Sequence, residues 1–383
     1  MRIMHFCCEY PPSGFGVGKY IGEISAGLRK LGHETVIVTT RVAGRPEVED
    51  IERGRVYRIY DFADIGSPAL AQRVLELASS HKVNLIESVD RLGEAAELLK
   101  IANRPPVLIN CRYNDLVHQA RYAQAWYKWQ KLAIDLACLR ERKRMKRERF
   151  CVENADLLAA PSKWMIDGLE NQGLALPLHR AVLPKPLASL SGWVNREANK
   201  PTILLVARLD FGKGLLYLRD ILARVTAAIP DVCLEIVGPD SYARFIGSVQ
   251  KWTERDLGIH KQHVRFLGSL GRVELDEVYR RAWCVMIPSR WDTSPTVLLE
   301  AMVRSKPVVV SPFGGMAEYV GDGYEYVADP GCPEFADDIL ALLQDEGKRK
   351  AVGERLRRRA AVEYTPEHAA EAYAGFVSQI VSA

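Results

Sequence analysis

Short apolar runs alternate along this chain with segments whose apolar residues recur every three or four positions. Arg2–Cys8 is an apolar run and Thr35–Thr39 a β-branched one, so both predict strands. Between them, Tyr20–Leu31 carries Ile21, Ile24 and Leu28 on one helical stripe, and Gly32 stands where that helix should stop. Strand, loop, helix and strand at this length predict a βαβ unit, and hence a parallel sheet. The alternation continues with strands at Val83–Ser88, Val107–Asn110 and Leu157–Ala160, and a helix over Gly93–Ala102.

Pro184–Lys200, with Pro184, Pro186 and Gly192 among scattered polar residues, reads as a linker. A second cycle then opens on the buried-type strand Thr202–Ala207 and the helix Leu215–Ile229. Further strands are predicted at Cys233–Val237, Val264–Leu267, Cys284–Ile287 and Pro307–Val310. The pattern is α/β throughout and predicts two doubly wound, Rossmann-like domains, at 1–190 and 198–365. A length of 383 residues agrees, at roughly 100–200 residues per domain.

Charge and cysteine content narrow the function. Lys and Arg number 52 against 48 for Asp and Glu, a net charge of +4, too mild for a dedicated nucleic-acid binder. No apolar run approaches the roughly 18 residues of a membrane span, and the start reads as a strand instead of a secretory signal. Eight cysteines are scattered without a Cys-x-x-Cys pair, so a zinc or disulfide framework is not indicated and a reducing cytoplasm fits.

Three loops carry candidate chemistry. Ser13–Gly18 places Gly14, Gly16 and Gly18 between a strand and a helix, where backbone amides can approach a phosphate or sugar. Its spacing fits neither a Walker loop nor the G-x-G-x-x-G dinucleotide pattern, and a plain tight turn would use the same glycines. Arg208 and Lys213 share the loop after the first strand of the second cycle, placed to clamp a diphosphate, although a solvated basic loop looks the same. Asp292 and Glu300, with seven residues between them, bracket the passage from the strand Cys284–Ile287 into a helix. Carboxylates there can accept bonds from sugar hydroxyls, and the amides of Thr296 and Val297 at the helix start suit phosphate oxygens. A helix that merely keeps acids near its N-terminal end is the plainer alternative.

As an ordered set these motifs resemble the retaining glycosyltransferases of family four, also called group 1, which have the GT-B fold. The Gly-rich loop, the Arg208/Lys213 pair and Asp292…Glu300 carry the resemblance, supported by Phe266–Leu270, Pro288-Ser289, Leu299–Met302 and Gly314–Glu318. It implies two Rossmann-like domains facing a central cleft, with a last helix near 366–383 returning to the first domain. It further implies that Arg208 and Lys213 hold the diphosphate of a nucleotide-diphosphate sugar, most often UDP-linked. Glu300 would bind the ribose, Asp292 the transferred sugar, Gly268–Leu270 the base, and Gly16 would back the diphosphate. The implied reaction is transfer with retention to a glycan or lipid-linked saccharide, without cofactor or metal, and no Asp-x-Asp motif is present. Two departures stand out. Asp292 is one methylene shorter than the family's glutamate. Arg112 stands where the family often has a histidine, with His118 six residues on.

Arg121–Phe150 predicts a long helix, with Tyr122, Trp126, Trp129, Ala133 and Leu136 on one stripe. It ends in Arg140–Arg149, seven basic and two acidic residues, net +5 and expected to face solvent. Tryptophans beside a basic block suit an anionic membrane surface, so peripheral attachment at the inner membrane face is one reading and packing on the core or a partner another. Two other classes compete with the enzyme. A nicotinamide-dependent oxidoreductase is opposed by the missing glycine spacing in both halves. A catalytically silent GT-B scaffold or membrane-docking protein is opposed by Arg208, Lys213 and Glu300 occurring together.

Overall fold

The computed structural model describes residues 1–12, 16–112, 117, 143–243 and 246–381. Two compact units emerge, Met1–Ala188 with Tyr364–Ala383, and Ser189–Glu363.

The first unit holds an eight-stranded sheet. Its strands are β1 (Arg2–Phe6), β2 (Glu34–Thr40), β3 (Val48–Ile51), β4 (Gly54–Tyr60), β5 (Leu85–Val89), β6 (Val107–Asn110), β7 (Leu157–Ala160) and β8 (Arg180–Val182). They lie in the order β3-β4-β2-β1-β5-β6-β7-β8, parallel except for the β3–β4 pair. Residues Ile3–Phe6 of β1 and all of β5 are buried, which is why these strands read as mostly apolar runs, interrupted by His5, Glu87 and Ser88. The hairpin β3–β4 left no such trace, because β3 is an edge strand whose residues are exposed or half-buried.

One expected helix is absent. Gly93–Ala102 forms two 3-10 turns, Arg91–Ala96 and Leu98–Lys100, with Leu92 and Gly93 in the left-handed region at φ 68° and 62°. Buried carboxylates compete for the backbone here. Glu148 accepts the Leu92 amide at 3.0 Å, and Glu94 turns inward to take the Cys8 amide on both oxygens at 3.0 and 3.1 Å. The basic stretch that includes Glu148 is also less solvated than its composition predicts. Residues 143–154 are helical, Glu148 is fully buried, and Arg147 donates to the Ile65 carbonyl at 3.2 Å. The stripe from Tyr122 to Leu136 lies outside the described residues.

A polar hub sits inside this core. His5 Nδ1 and Glu87 Oε2 are 2.8 Å apart and neither side chain is exposed. Tyr20 donates its hydroxyl to Glu87 Oε1 at 3.0 Å, and Asn110 Nδ2 reaches the same oxygen at 2.8 Å. Burial alone would raise the Glu87 pKa, but His5 foremost, then Asn110 and Arg112, bring it below its ordinary value. Tyr373 of the helix Pro366–Val381 is buried against Glu87, and burial and that charge push its phenol well up. Gly27 lets this last helix approach the helix Gly16–Lys30, since a Cβ there would stand 2.5 Å from the Pro366 carbonyl oxygen.

The second unit is built on β9 (Thr202–Val206), β10 (Cys233–Val237), β13 (Val264–Gly268), β14 (Cys284–Ile287) and β15 (Val308–Val310). Their order is β13-β10-β9-β14-β15, all parallel, with β11 (Tyr242–Ala243) and β12 (Gly247–Ser248) forming a small antiparallel hairpin. Part of the expected linker is fastened to this unit. Trp193 stacks under Arg280 and Arg304, Glu197 pairs with Arg349 at 2.8 Å, and Ala198 accepts the Trp283 indole N–H at 2.8 Å. No helix among the described residues is long and apolar enough to cross a membrane.

Two measurements check this packing. Glu87→Ala removes the shared acceptor of His5, Tyr20 and Asn110, so the urea transition of the first unit should weaken by roughly 3–5 kcal/mol. An unshifted midpoint would mean the hub contributes little. Lys306, buried and donating to the carbonyls of Arg280 and Ala282, has its pKa lowered to about 8 by burial. Its folded value lies below its unfolded one, so the unfolded chain binds more protons between about pH 8 and 10.4. Stability contributed through Lys306 should therefore rise with pH across that window, and Lys306→Met should flatten the rise in chemical denaturation series.

Candidate functional site

In each sheet the winding reverses beside the first strand, between β1 and β5 and between β9 and β14. Loops at the carboxyl ends of such neighbours diverge and leave a crevice where ligands of doubly wound folds bind.

In the second unit the two loops at this point are bonded together. After β9 the chain passes Arg208 and Asp210 into the 3-10 turn Phe211–Lys213; after β14 it runs from Pro288 to the helix Thr296–Val303. The Arg290 amide donates to the Gly212 carbonyl at 2.9 Å. Lys213 Nζ donates to Asp292 Oδ2 at 2.7 Å, and Asp292 Oδ1 accepts the Ser294 amide at 3.3 Å. The Asp292 backbone is held as well. Its carbonyl accepts the Gly315 amide at 2.9 Å and packs on Gly314, whose φ of 106° and lack of a Cβ permit an approach that a side chain would block at 2.0 Å.

Electrostatics follow from these contacts. Burial would lower the Lys213 pKa, but the Asp292 charge and hydrogen bond outweigh it and raise the ammonium above its ordinary value. Lys213 is therefore a cation at neutral pH. Arg208, largely exposed, donates to Asp210 Oδ2 from Nε at 3.2 Å and from Nη2 at 3.0 Å. Each cation of the candidate clamp thus rests on a carboxylate. Asp210 was not singled out from the sequence, where its place two residues after Arg208 was the available signal, and the pairing of Asp292 with Lys213 needed the fold.

The remaining candidates of this unit lie on neighbouring elements. Thr296 and Val297 occupy the first turn of the helix after β14, half-buried, with no side-chain cap ahead of them. Glu300 stands one turn on, its Oε2 3.5 Å from the hydroxyl of the fully buried Tyr279. Burial, and next the Glu300 charge, push that phenol well above its usual pKa. Gly268 ends β13 and its carbonyl accepts the Gly238 amide at 2.8 Å, while Leu270 follows half-buried.

Arg112, Gly16 and Gly18 belong to the first unit. Gly16 and Gly18 open the helix Gly16–Lys30, and the Gly18 amide points to Glu9 Oε2 at 3.4 Å. Glu9 Oε1 in turn accepts from Arg91 at 2.9 Å. Lys185, also buried, brings its Nζ to 3.4 Å from where a Gly16 Cβ would stand. Glu9, Arg91 and Lys185 were not singled out by sequence pattern. Arg112 is buried with its guanidinium 3.6 Å from the Tyr20 ring centroid, its Nη2 donating to the Leu183 carbonyl and its amide to Asp90. Gly14 and His118 lie outside the described residues.

Known proteins resemble both units. Residues 193–359 match the family model of glycosyl transferases group 1, and residues 15–185 match that of the glycosyl transferase 4-like domain. A D-inositol 3-phosphate glycosyltransferase of Corynebacterium aurimucosum is 32% identical over 160 residues, covering 40% of this chain and 37% of that protein. Such matches span only about a third to a half of the curated relatives' own lengths. Sucrose-phosphate synthase from Thermosynechococcus elongatus superposes with a TM-score of 0.77 at 18% identity, over 100% of both chains. Anabaena HepE in complex with UDP-glucose gives 0.67 at 18% identity, over 99% of this chain and 100% of that one. The chain shares the GT-B fold of these structures.

The Lys213–Asp292 pair has a direct readout. In Asp292→Asn, burial acts on the ammonium without its counter-charge, so the Lys213 pKa should fall by about a unit or more. Carbon-13 titration of the labelled lysine side chain measures this. An unchanged value would show that Asp292 does not set the charge of Lys213.

Proposed function

The chain belongs to the glycosyl transferases group 1 family, and from that premise we propose that it moves a sugar, with retention, from a nucleotide-diphosphate sugar to a glycan or lipid-linked saccharide. One observation carries the reading. Two cations stand on the loop after β9 at the β9/β14 switch point, Arg208 on an exposed carboxylate that an incoming diphosphate can replace and Lys213 held charged by Asp292.

In this reading Arg208 and Lys213 take the diphosphate, and the amides of Thr296 and Val297 add donors at the helix start. Glu300 accepts from the ribose hydroxyls, and Gly268–Leu270 lie against the base. Asp292 keeps Lys213 in place and turns its remaining lone pairs to the transferred sugar. Negative charge grows on the departing diphosphate as the glycosidic bond breaks, and fixed cations stabilise that charge more than they stabilise the bound donor. The Arg208–Asp210 pair is exposed, and such pairs contribute only about 0–1 kcal/mol, so releasing Asp210 costs the donor little.

A UDP-linked sugar is the proposed donor, in line with the HepE structures that contain UDP and UDP-glucose. A cytoplasmic site of action fits the seven described cysteines, all of them free thiols.

A thermal-shift panel of UDP, GDP, ADP and their sugar conjugates tests the assignment. A ligand at a hundred times its dissociation constant should stabilise by about 2.7 kcal/mol. UDP and UDP-sugars should shift the wild type, less so Glu300→Ala, and not the Arg208→Ala/Lys213→Ala double variant. Sugar transfer should fall at least about 100-fold in the double variant, as expected when transition-state charge loses its donors. Silence with every nucleotide would overturn the donor site, and binding without turnover would favour the scaffold reading.

A further inference from the structure

We infer that the second unit carries a separate binding site for a phosphate-bearing small molecule, at the sheet edge opposite the switch-point loops. A cavity of about 680 Å³ opens where β9 and β10 begin, with Thr202 and Cys233 in its wall, and His263 lines it just before β13. The candidate donor residues lie at the other, carboxyl-terminal ends of the same strands. Five residues of β10 separate the two edges, roughly 17 Å at about 3.3 Å per residue.

The wall is built around a buried acid. Glu235, only 2% exposed, accepts from Arg265 Nη1 on one oxygen at 3.0 Å and from Arg281 Nε on the other at 2.8 Å. One carboxylate thereby orients two guanidiniums and spends a single N–H of each. Among the described residues their other N–H groups have no protein partner, and both arginines line the cavity. Lys200 joins them, with no ion pair to its ammonium among the described residues. Burial, and next Glu235, raise the Cys233 thiol in this wall against the pull of Arg265, Arg281 and Lys200. Three cations against Glu235 and the exposed Asp231 leave the cavity net positive.

Forked N–H donors presented together, with surplus positive charge, match the oxygens of a phosphate better than those of a neutral sugar. The volume falls within the range of about 300–1,000 Å³ typical of small-molecule sites, so it holds a phosphate together with an attached sugar or nucleoside. The site differs from the donor clamp in both residues and position, so it stands whether or not the proposed activity does.

Calorimetric titration of the full chain with inorganic phosphate and with glucose 6-phosphate tests the inference. Both wild type and Arg208→Ala/Lys213→Ala should bind, the second variant silencing the donor clamp. Lys200→Ala/Arg265→Ala should weaken binding at least tenfold. Because Arg281→Ala would strand Glu235 in the interior, Arg281→Lys combined with Glu235→Gln serves as the folded check and should weaken binding too. Tighter binding of glucose 6-phosphate assigns the cavity to a phosphomonoester, and equal binding assigns it to free phosphate. Binding lost only in Arg208→Ala/Lys213→Ala, or absent from wild type at millimolar probe, would overturn the site.

Discussion

In both units the first strand lies inside its sheet, and the chain winds first to one side of it and then to the other. Right-handed parallel connections impose this consequence: helices on the two sides of the first strand pack on opposite faces, so the loops beside it cannot cover one another. The proposed donor site of the second unit depends on that gap. Arg208 and Lys213 lie on one flanking loop and Asp292 on the other, and Lys213 meets Asp292 there across 79 residues of sequence. Gly16 and Gly18 occupy the matching place beside β1 in the first unit.

Charge in these crevices is balanced locally. Arg208 rests on Asp210, Lys213 on Asp292, and Arg91 on Glu9, whose other oxygen faces the Gly18 amide. The pairs are not equivalent. Arg208 is largely exposed, so its pair is weak and readily exchanged. Lys213 is only about a quarter exposed, and its counter-ion keeps it charged against the pull of burial. The first is suited to capture and the second to holding charge in place. The hub around Glu87 is different again. Sealed from solvent and shared by β1, β5, β6 and two helices, it links the last helix to the centre of the first sheet.

Alternation of apolar runs with helical stripes was enough to read the parallel α/β architecture, because buried strands announce themselves by continuous hydrophobicity. The β3–β4 hairpin escaped because an edge strand need not be apolar. The helix expected over Gly93–Ala102 failed for a reason that no local pattern contains: Glu94 and Glu148 take backbone amides only once β1 and the helix at 143–154 have been brought alongside. Site residues divide the same way. Arg208, Lys213 and Glu300 were visible as spaced motifs, whereas the partnership of Lys213 with Asp292, 79 residues away, exists only after the sheet forms.

The shorter acid at position 292 becomes intelligible through its surroundings. An aspartate reaches less far than a glutamate, so it can hold Lys213 at 2.7 Å only if its backbone is already close. Gly314 provides that closeness, admitting the Asp292 carbonyl where any Cβ would collide, and the Gly315 amide then locks the approach. With one oxygen on Lys213 and the other facing the Ser294 amide, the carboxylate has little rotational freedom left. In the proposed enzyme it therefore meets the sugar as a fixed acceptor attached to the diphosphate clamp. Donor selection at this position would follow from the sheet geometry that sets Asp292 as much as from the length of its side chain.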